Sequence, residues 1–127
     1  MNDELIEREL TEKIIGAAIE VHRFWGPGLY EEIYEKSLCH EFSLRGLNFS
    51  RQVKLPLIYK KHRVGDDLKL DVIVEGKIVV ENKHVQELRP IHESQLITYM
   101  RLTGCRVGLL FNFRSQNLSR SMKRIVL

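Results

Sequence analysis

The N-terminal part of the chain contains two segments whose apolar residues recur at helical spacing. The first segment extends from about Thr11 to Phe24, and the second from about Leu29 to Arg45. Gly26-Pro27-Gly28 separates them, and Gly46 supplies a stop for the second segment. The periodic faces consist of Leu10, Ile14, Ala17, Ala18 and Val21 in the first segment and of Ile33, Ser37, Leu38 and Phe42 in the second. The pattern therefore predicts two helices joined by a short turn.

The periodicity then changes to the alternation of apolar and polar residues that is typical of half-buried strands. This alternation runs from Phe49 to Leu57, where Pro56 favours an edge position or a strand end. Lys60 to Gly65 forms a polar turn region. Two further apolar runs predict strands at Leu68–Val74 and Ile78–Lys83.

The C-terminal part returns to a helix and then to a strand. Pro90 is well placed in the first turn of a helix that extends to about Thr103 and is closed by Gly104. Val107–Phe113 is nearly continuously apolar, as expected for a strand buried on both faces. The tail from Asn117 to Leu127 fits either a helix or a strand. The order α-α-β-β-β-α-β predicts a layered α/β domain.

Composition narrows the class of protein. The chain has 127 residues, of which 43% are apolar and 29% charged, so we expect one globular domain over residues 1–127. No apolar run approaches the roughly 20 residues of a membrane span, and the acidic N-terminus lacks the layout of a signal peptide. Cys39 and Cys105 form no C-x-x-C pair. These features predict a soluble, cytoplasmic domain with no membrane partner.

The net charge of +3 conceals a strong asymmetry along the chain. Residues 1–41 carry ten acidic and four basic residues, whereas residues 101–127 carry six basic residues and no acidic one. A cationic C-terminal segment is consistent with a surface that faces phosphates. A solvated basic face explains the same pattern, and both interpretations stay open at this point.

Three charged residues break the buried pattern of the two strands predicted at Leu68–Val74 and Ile78–Lys83. Asp71 lies within the first of these strands, and Glu81 and Lys83 end the second. Glu81 and Lys83 share a face, and Asp71 joins them if Glu75-Gly76-Lys77 forms an odd-numbered loop or a bulge. Two carboxylates suit Mg²⁺ or Mn²⁺, and an ammonium group would stabilise charge at phosphorus. A buried ion pair at the rim of the sheet is the alternative.

Two helices carry polar residues that could join this group. Glu31 and Tyr34 lie three residues apart after Gly28, and Glu35 is one turn beyond Glu31. His92, Gln95 and Tyr99 follow i, i+3, i+7 spacing on the third predicted helix and therefore share a face. A solvated helix face, on which Tyr99 packs only through its ring, is the alternative.

These residues resemble two known motifs. Gly28, Glu31 and Tyr34 resemble the signature of the GxxExxY protein family. Asp71 followed by Glu81-Asn82-Lys83 resembles the motif core of the PD-(D/E)XK nuclease superfamily, to which that family belongs. Gln95 to Tyr99 resembles the Q-x-x-x-Y helix motif of its RecB-like members. The resemblance extends from Leu10 to about Val126.

The resemblance implies a fold and a set of roles. The fold would be a restriction-endonuclease-like core, α-β-β-β-α-β, with a mixed central sheet flanked by helices and one extra N-terminal helix. Lys83 would be the catalytic lysine. The implied metal ligands for Mg²⁺ or Mn²⁺ are Asp71, Glu81, Glu31 and the backbone carbonyl of Asn82. Gln95 and Tyr99 would steady the site or contact the nucleic acid backbone.

The leading hypothesis is therefore a metal-dependent nuclease that hydrolyses phosphodiester bonds of nucleic acid, with DNA favoured over RNA. A second hypothesis is a nucleic-acid-binding or partner-binding module that has the same fold without turnover. A third is a small structural subunit, since the apolar edge at Phe49–Tyr59 would allow a homodimer. The sequence contains no G-x-S-x-G, Walker-type or H-E-x-x-H motif.

Overall fold

The structure is a computed structural model and describes residues 6–127. Residues 1–5, on which the expectation about a signal peptide rests, lie outside this range. The helices are α1 (Arg8–Trp25), α2 (Glu31–Leu44) and α3 (Pro90–Thr103). The strands are β1 (Phe49–Leu55), β2 (Ile58–Tyr59), β3 (His62–Arg63), β4 (Leu68–Val74), β5 (Ile78–Lys83), β6 (Val107–Asn112) and β7 (Met122–Val126). No helix between residues 6 and 127 has the length and apolar character to cross a membrane.

Five of these strands form one mixed sheet in the order β1-β4-β5-β6-β7. β5 and β6 are parallel, and the other three pairs are antiparallel. A parallel pair needs a long crossover connection, which α3 supplies. β2 and β3 form a separate hairpin between β1 and β4. The prediction of a mixed central sheet flanked by helices, with one helix ahead of an α-β-β-β-α-β order, is therefore confirmed.

Apolar layers cover both faces of this sheet. One layer packs α1 and α2 against β4, β5 and β6, and the other packs α3 against the opposite face. β6 is buried along its whole length, which confirms the prediction from its continuous apolar run. Gly108 in β6 allows α3 to approach, because a Cβ atom there would lie 2.6 Å from Met100 Sδ and 2.9 Å from Leu96 Cδ1. The site described below therefore rests on a sheet that is covered on two sides.

The regular alternation of side chains between the two faces of the sheet is interrupted in β1 at Gln52 and in β4 at Asp71. In β4, Val72 packs in the α1–α2 layer, whereas Leu70 packs in the α3 layer. Regular alternation would place residues two apart on the same side. In β1, Phe49 and Val53 are divided in the same way, and Gln52 between them has a φ of 49°. The prediction that β1 is a regularly alternating strand with one buried face is therefore wrong.

The remaining differences from the sequence prediction lie at element ends, in the tail and in the polar turn region predicted from Lys60 to Gly65. Only Lys60 and Lys61 form a turn there, because His62 and Arg63 pair with β2 as strand β3. α2 begins at Glu31 rather than Leu29, because Tyr30 has the extended conformation of an N-cap. β1 ends at Leu55, directly before Pro56, and occupies an edge of the sheet as that proline favours. The tail forms one turn of 3-10 helix and then β7. Most residues of β7 are half-buried, so buried and exposed positions do not alternate along it. This is why the sequence did not distinguish a strand from a helix in the tail.

Replacing Gly108 by alanine tests how closely α3 packs on β6. The added methyl group would collide with Leu96 and Met100, and we expect the free energy of unfolding to fall by about 1–3 kcal/mol. Gly65→Ala is the matched control, because its Cβ atom would meet only Leu57 Cδ1 at 3.9 Å. Urea denaturation measures both variants, and equal stabilities would contradict the close packing.

Candidate active site

The carboxylates of Asp71 and Glu81 each accept a hydrogen bond from the backbone of the other strand, β5 and β4 respectively. Val74 pairs with Ile78, so the hairpin has the odd-numbered loop Glu75-Gly76-Lys77 that the sequence analysis required. The backbone N–H of Asp71 donates to Glu81 Oε1 at 2.9 Å, and the backbone N–H of Asn82 donates to Asp71 Oδ2 at 2.8 Å. The structure therefore brings the two predicted carboxylates together.

The electrostatic environment of this pair is unfavourable to two full negative charges. Burial raises the pKa of Asp71 to about 6, and the charges of Glu35 and Glu31 act in the same direction. Burial, and then the charge of Asp71, raises the pKa of Glu81 to about 8. Close to neutral pH the pair therefore shares one proton, as expected for strongly interacting carboxyl groups.

Lys83 lies beside the pair and is held from α3. Its Nζ donates to Gln95 Oε1 at 3.2 Å. Lys83 is also close enough to the carboxylates for its charge to act downward on the pKa of Asp71, Glu81 and Glu31. The structure thus brings together Lys83 and Gln95, two of the residues predicted for the site.

Tyr99 and His92 occupy the same helix as Gln95. Burial, together with the charges of Glu81 and Asp71, raises the pKa of the Tyr99 hydroxyl, which places this residue within the field of the pair. His92 instead contributes to the start of α3, because its Nδ1 accepts from the backbone N–H of Arg89 at 2.9 Å. The polar residues of α3 therefore have two roles: Gln95 and Tyr99 lie beside Lys83 and the carboxylate pair, and His92 caps the start of the helix.

Glu31 is positioned by the loop between α1 and α2. Tyr34 is fully buried, its hydroxyl donates to the carbonyl of Gly26, and it accepts from the N–H of Leu29 at 3.0 Å. The Tyr34 ring stacks on Phe113 with a centroid distance of 4.8 Å. Tyr34 therefore fixes the loop that precedes Glu31, the first residue of α2.

Glu31 and Asp71 line the same cleft, which has a volume of about 360 Å³. Burial is the largest cause that raises the pKa of Glu31, and the charge of Glu35 adds to it. The remaining lining residues are Glu32, Glu35, Arg51 and Gln52. This acidic cleft is the approach to the pair from the side of α2.

Glu35 is a component of the site that the sequence analysis noted by its spacing from Glu31 but to which it assigned no role. Only 5% of it is exposed, and its Oε2 accepts from Arg51 Nη2 at 2.7 Å and from Arg51 Nε at 3.1 Å. Its Oε1 accepts from Gln52 Nε2 at 3.0 Å. The available signal was an acidic residue directly after Tyr34 on the buried side of a helix, one turn beyond Glu31.

Asn82 has a backbone role and an unexplained side chain. Its N–H orients Asp71. Its side chain is 1% exposed, and neither Oδ1 nor Nδ2 has a hydrogen-bond partner among residues 6–127. A buried amide without partners normally contacts an ordered water or another ligand, or else lowers stability.

The donor chemistry of the pair fits a divalent cation. Within the described part of the chain, Asp71 and Glu81 each use one oxygen on a backbone amide, so the second oxygen of each has no hydrogen bond. Mg²⁺ in proteins is commonly held by one or two carboxylates together with water and phosphate. No group of three His, Cys, Asp or Glu side chains in residues 6–127 is arranged to hold a metal, so a complete protein cage is not formed.

The basic C-terminal segment is divided between the two ends of the sheet. Arg114 follows β6 at the end where Asn112 pairs with Lys83. The backbone N–H of Arg114 donates to Asn112 Oδ1 at 3.3 Å. Arg106 lies at the other end, where its Nε donates to the carbonyl of Leu127 at 3.0 Å. The six basic residues therefore do not form one surface around the carboxylate pair.

Glu81→Gln should make the stability of the chain less sensitive to pH. The raised pKa of Asp71 and Glu81 means that the folded state binds more protons than the unfolded state between about pH 4.5 and 8, so stability falls as pH rises through this range. Glutamine keeps the acceptor for the N–H of Asp71 and removes the repulsion. In EDTA at pH 8.5 we expect the variant to be more stable on the order of 3 kcal/mol.

The two proteins should have similar free energies of unfolding at about pH 3, where Glu81 is protonated in both the folded and the unfolded state. Urea denaturation across the pH range checks this outcome. Parallel pH profiles for the parent and the variant would contradict the raised pKa values.

Asn82→Leu tests the unsatisfied amide. The substitution replaces two buried polar atoms without partners by an apolar side chain of similar size, and we expect a gain of about 1–3 kcal/mol in the free energy of unfolding. The backbone N–H that bonds Asp71 is retained. A loss of stability would indicate that the amide holds a ligand or water within the folded protein.

Comparison with known proteins gives one finding. Residues 8–125 match a family model described as the PD-(D/E)XK nuclease superfamily. Neither curated proteins nor solved structures gave a match to this chain.

Proposed function

Since this chain belongs to the PD-(D/E)XK nuclease superfamily, we propose that it is a metal-dependent nuclease that hydrolyses phosphodiester bonds in DNA. The observation that carries the proposal is the buried pair of Asp71 and Glu81 with the ammonium group of Lys83 beside it. Within the superfamily we assign it to the GxxExxY group, because Gly28, Glu31 and Tyr34 occur at that spacing.

The proposed metal ligands are Asp71, Glu81 and the backbone carbonyl of Asn82, with Glu31 completing the set from the side of α2. A Mg²⁺ or Mn²⁺ ion held there would polarise the phosphate and lower the pKa of an attacking water. The carboxylates give up their shared proton when they bind a cation, so affinity for the metal rises with pH up to about 8.

Lys83 is the proposed catalytic lysine. Its Nζ donates to Gln95 Oε1, which leaves further protons of the ammonium group for a water molecule or a phosphate oxygen. In that position the charge of Lys83 stabilises the negative charge that develops on the phosphate. Gln95 is a positioning residue for Lys83, and Tyr99 orients the phosphate from the same helix.

Glu35, Arg51 and Gln52 are proposed as positioning residues for the wall of the cleft. Arg51 places a positive charge beside Glu35, so this deeply buried carboxylate does not repel substrate as strongly as a free one. Gln52 Nε2 donates to the same carboxylate. Gln52 lies at the level of Asp71, because its neighbours Arg51 and Val53 pair with Val72 and Leu70 of β4. The network therefore connects α2 to the strand that flanks Asp71.

Cleavage of labelled duplex DNA in Mg²⁺ or Mn²⁺ tests the proposal. Lys83→Ala and Glu81→Gln should each lower kcat by about 10²–10³-fold or more, because each removes a group aimed at charge that develops in the transition state. EDTA should abolish cleavage of the parent. Lys77→Ala is the matched control, since Lys77 is an exposed lysine in the hairpin loop at the other end of β5.

Cleavage that is unchanged by both substitutions would refute the assignment. Binding without cleavage in any divalent metal would instead favour a second candidate, a binding module on the same fold. One observation supports that candidate: no three metal-ligating side chains are assembled within residues 6–127. A metal-induced rise in thermal stability that disappears in Glu81→Gln separates the two, because an intact metal site predicts it and a silent one does not.

A further inference from the structure

The hairpin formed by β2 and β3 is an exposed ribbon, defined here as residues 57–64. Its base is closed by a hydrogen bond from the N–H of Val64 to the carbonyl of Leu57, at 3.0 Å. Its side chains are largely exposed, with Tyr59 at 62% and Ile58 at 56%. The ribbon continues from the ends of β1 and β4 beyond the paired residues Leu55 and Leu68, which lie three positions from the level of Asp71. Because β4 and β5 are antiparallel, the ribbon projects from the end of β4 toward which β5 runs to Lys83.

The tip of this ribbon concentrates positive charge. Lys60 and Lys61 form the turn, and among the described residues neither has a carboxylate within ion-pair distance. The Lys60 ammonium lies 5.3 Å from the centre of the Tyr59 ring. Arg63 is different, because its Nη2 bonds Asp67 Oδ1 at 2.9 Å and its charge is partly neutralised. The lysines at the tip are therefore the cations of the ribbon that remain available to a partner.

The backbone at the tip is unfavourable for lysine. Lys60 has a φ of 48° and Lys61 a φ of 69°, and Tyr59 pairs with His62 across this two-residue loop. Such a turn with two positive φ angles strongly prefers Asn-Gly or similar pairs. Two lysines in the left-handed region lower stability, and among the described residues only the contact of Lys60 with the exposed Tyr59 ring offsets this cost. Strain of this kind is the pattern expected where side chains serve a function.

A second pair of lysines links the ribbon to the site. Lys54 and Lys69 lie directly opposite each other on β1 and β4, and like charges at opposed positions destabilise a sheet. Lys69 is two residues from Asp71 along β4, which corresponds to roughly 7 Å. Lys54 and Lys69 therefore add positive charge on the strands between the carboxylate pair and the ribbon, although Asp66 and Asp67 stand between Lys69 and the ribbon along the chain.

We propose that the ribbon is a DNA-binding arm whose lysines, Lys60 and Lys61, contact the phosphates of duplex DNA beside the cleavage site. This inference rests on the proposed nuclease function. The major groove of B-form DNA is about 12 Å wide and admits a two-stranded ribbon, whereas the major groove of A-form RNA is too narrow. The structure therefore favours a DNA duplex as the partner of this surface.

The substitution Lys60→Asn combined with Lys61→Gly tests the arm. It removes two positive charges and installs the residues that the turn prefers, so we expect the melting temperature to stay the same or rise. Binding to a fluorescently labelled DNA duplex, measured in Mg²⁺ on a Lys83→Ala background, should weaken about tenfold or more at 0.1 M salt. The slope of log Kd against log salt should decrease in magnitude by about 1–2.

The matched control is Lys77→Gln combined with Lys123→Gln. It removes the same charge from two exposed positions, one in the β4–β5 loop and one on β7 at the opposite edge of the sheet, and it should change affinity less than twofold. Affinity equal to that of the parent in the ribbon variant, equal losses in both double variants, or no duplex binding by the parent would each overturn the inference. Equal affinity for duplex RNA would overturn the choice of DNA.

The two proposals fail in different ways. Ribbon-dependent binding without cleavage by the chain that retains Lys83 would refute the nuclease assignment and leave the arm in place. Cleavage whose KM is unchanged in the ribbon variant would refute the arm and leave the nuclease assignment in place. With Lys83 present and both proposals correct, the ribbon variant should show a raised KM and an unchanged kcat.

Discussion

The two hydrogen bonds that hold the carboxylates of Asp71 and Glu81 to the backbone of the neighbouring strand are the constraint on which the site depends. Each carboxylate accepts from the backbone of the other strand, so neither can turn away without leaving a buried amide unpaired. This geometry follows from the odd-numbered hairpin loop, and it keeps two acids together in a buried environment that raises the pKa of both. A cation bound as the proposed function requires would relieve the repulsion that the fold imposes on this pair.

The rest of the molecule holds other groups against this pair. The crossover helix α3 brings Gln95 to Lys83, and Gly108 permits that helix to lie close to the sheet. On the other face, the buried side chain of Tyr34 fixes the loop before Glu31 by its hydrogen bonds to Gly26 and Leu29 and by its stacking on Phe113. The core and the site are therefore not separate parts of this small domain, since the same packed layers that stabilise the sheet orient its polar residues.

The parts of the fold that could be predicted are those that local pattern determines. β4, β5 and α3 have the predicted limits, because each is bounded by strong signals such as Gly76, Pro90 and Gly104. The Glu35–Arg51–Gln52 network was not predictable in this way. It depends on the left-handed backbone of Gln52 and on the exchange of faces in β1 and β4, and an alternating sequence contains no signal for either.

The short separation between Asp71 and Glu81 along the chain has a consequence for folding. The two residues contact each other across ten positions within one hairpin, whereas Glu31 arrives from the helix that precedes β1. Contacts of low sequence separation form early, and hairpins close within microseconds. The acidic pair can thus assemble while it is still hydrated, and the energetic penalty of its burial falls on the later step in which the helices dock. The carboxylate pair thus comes together when the hairpin closes, and its charge is buried only when the helices dock.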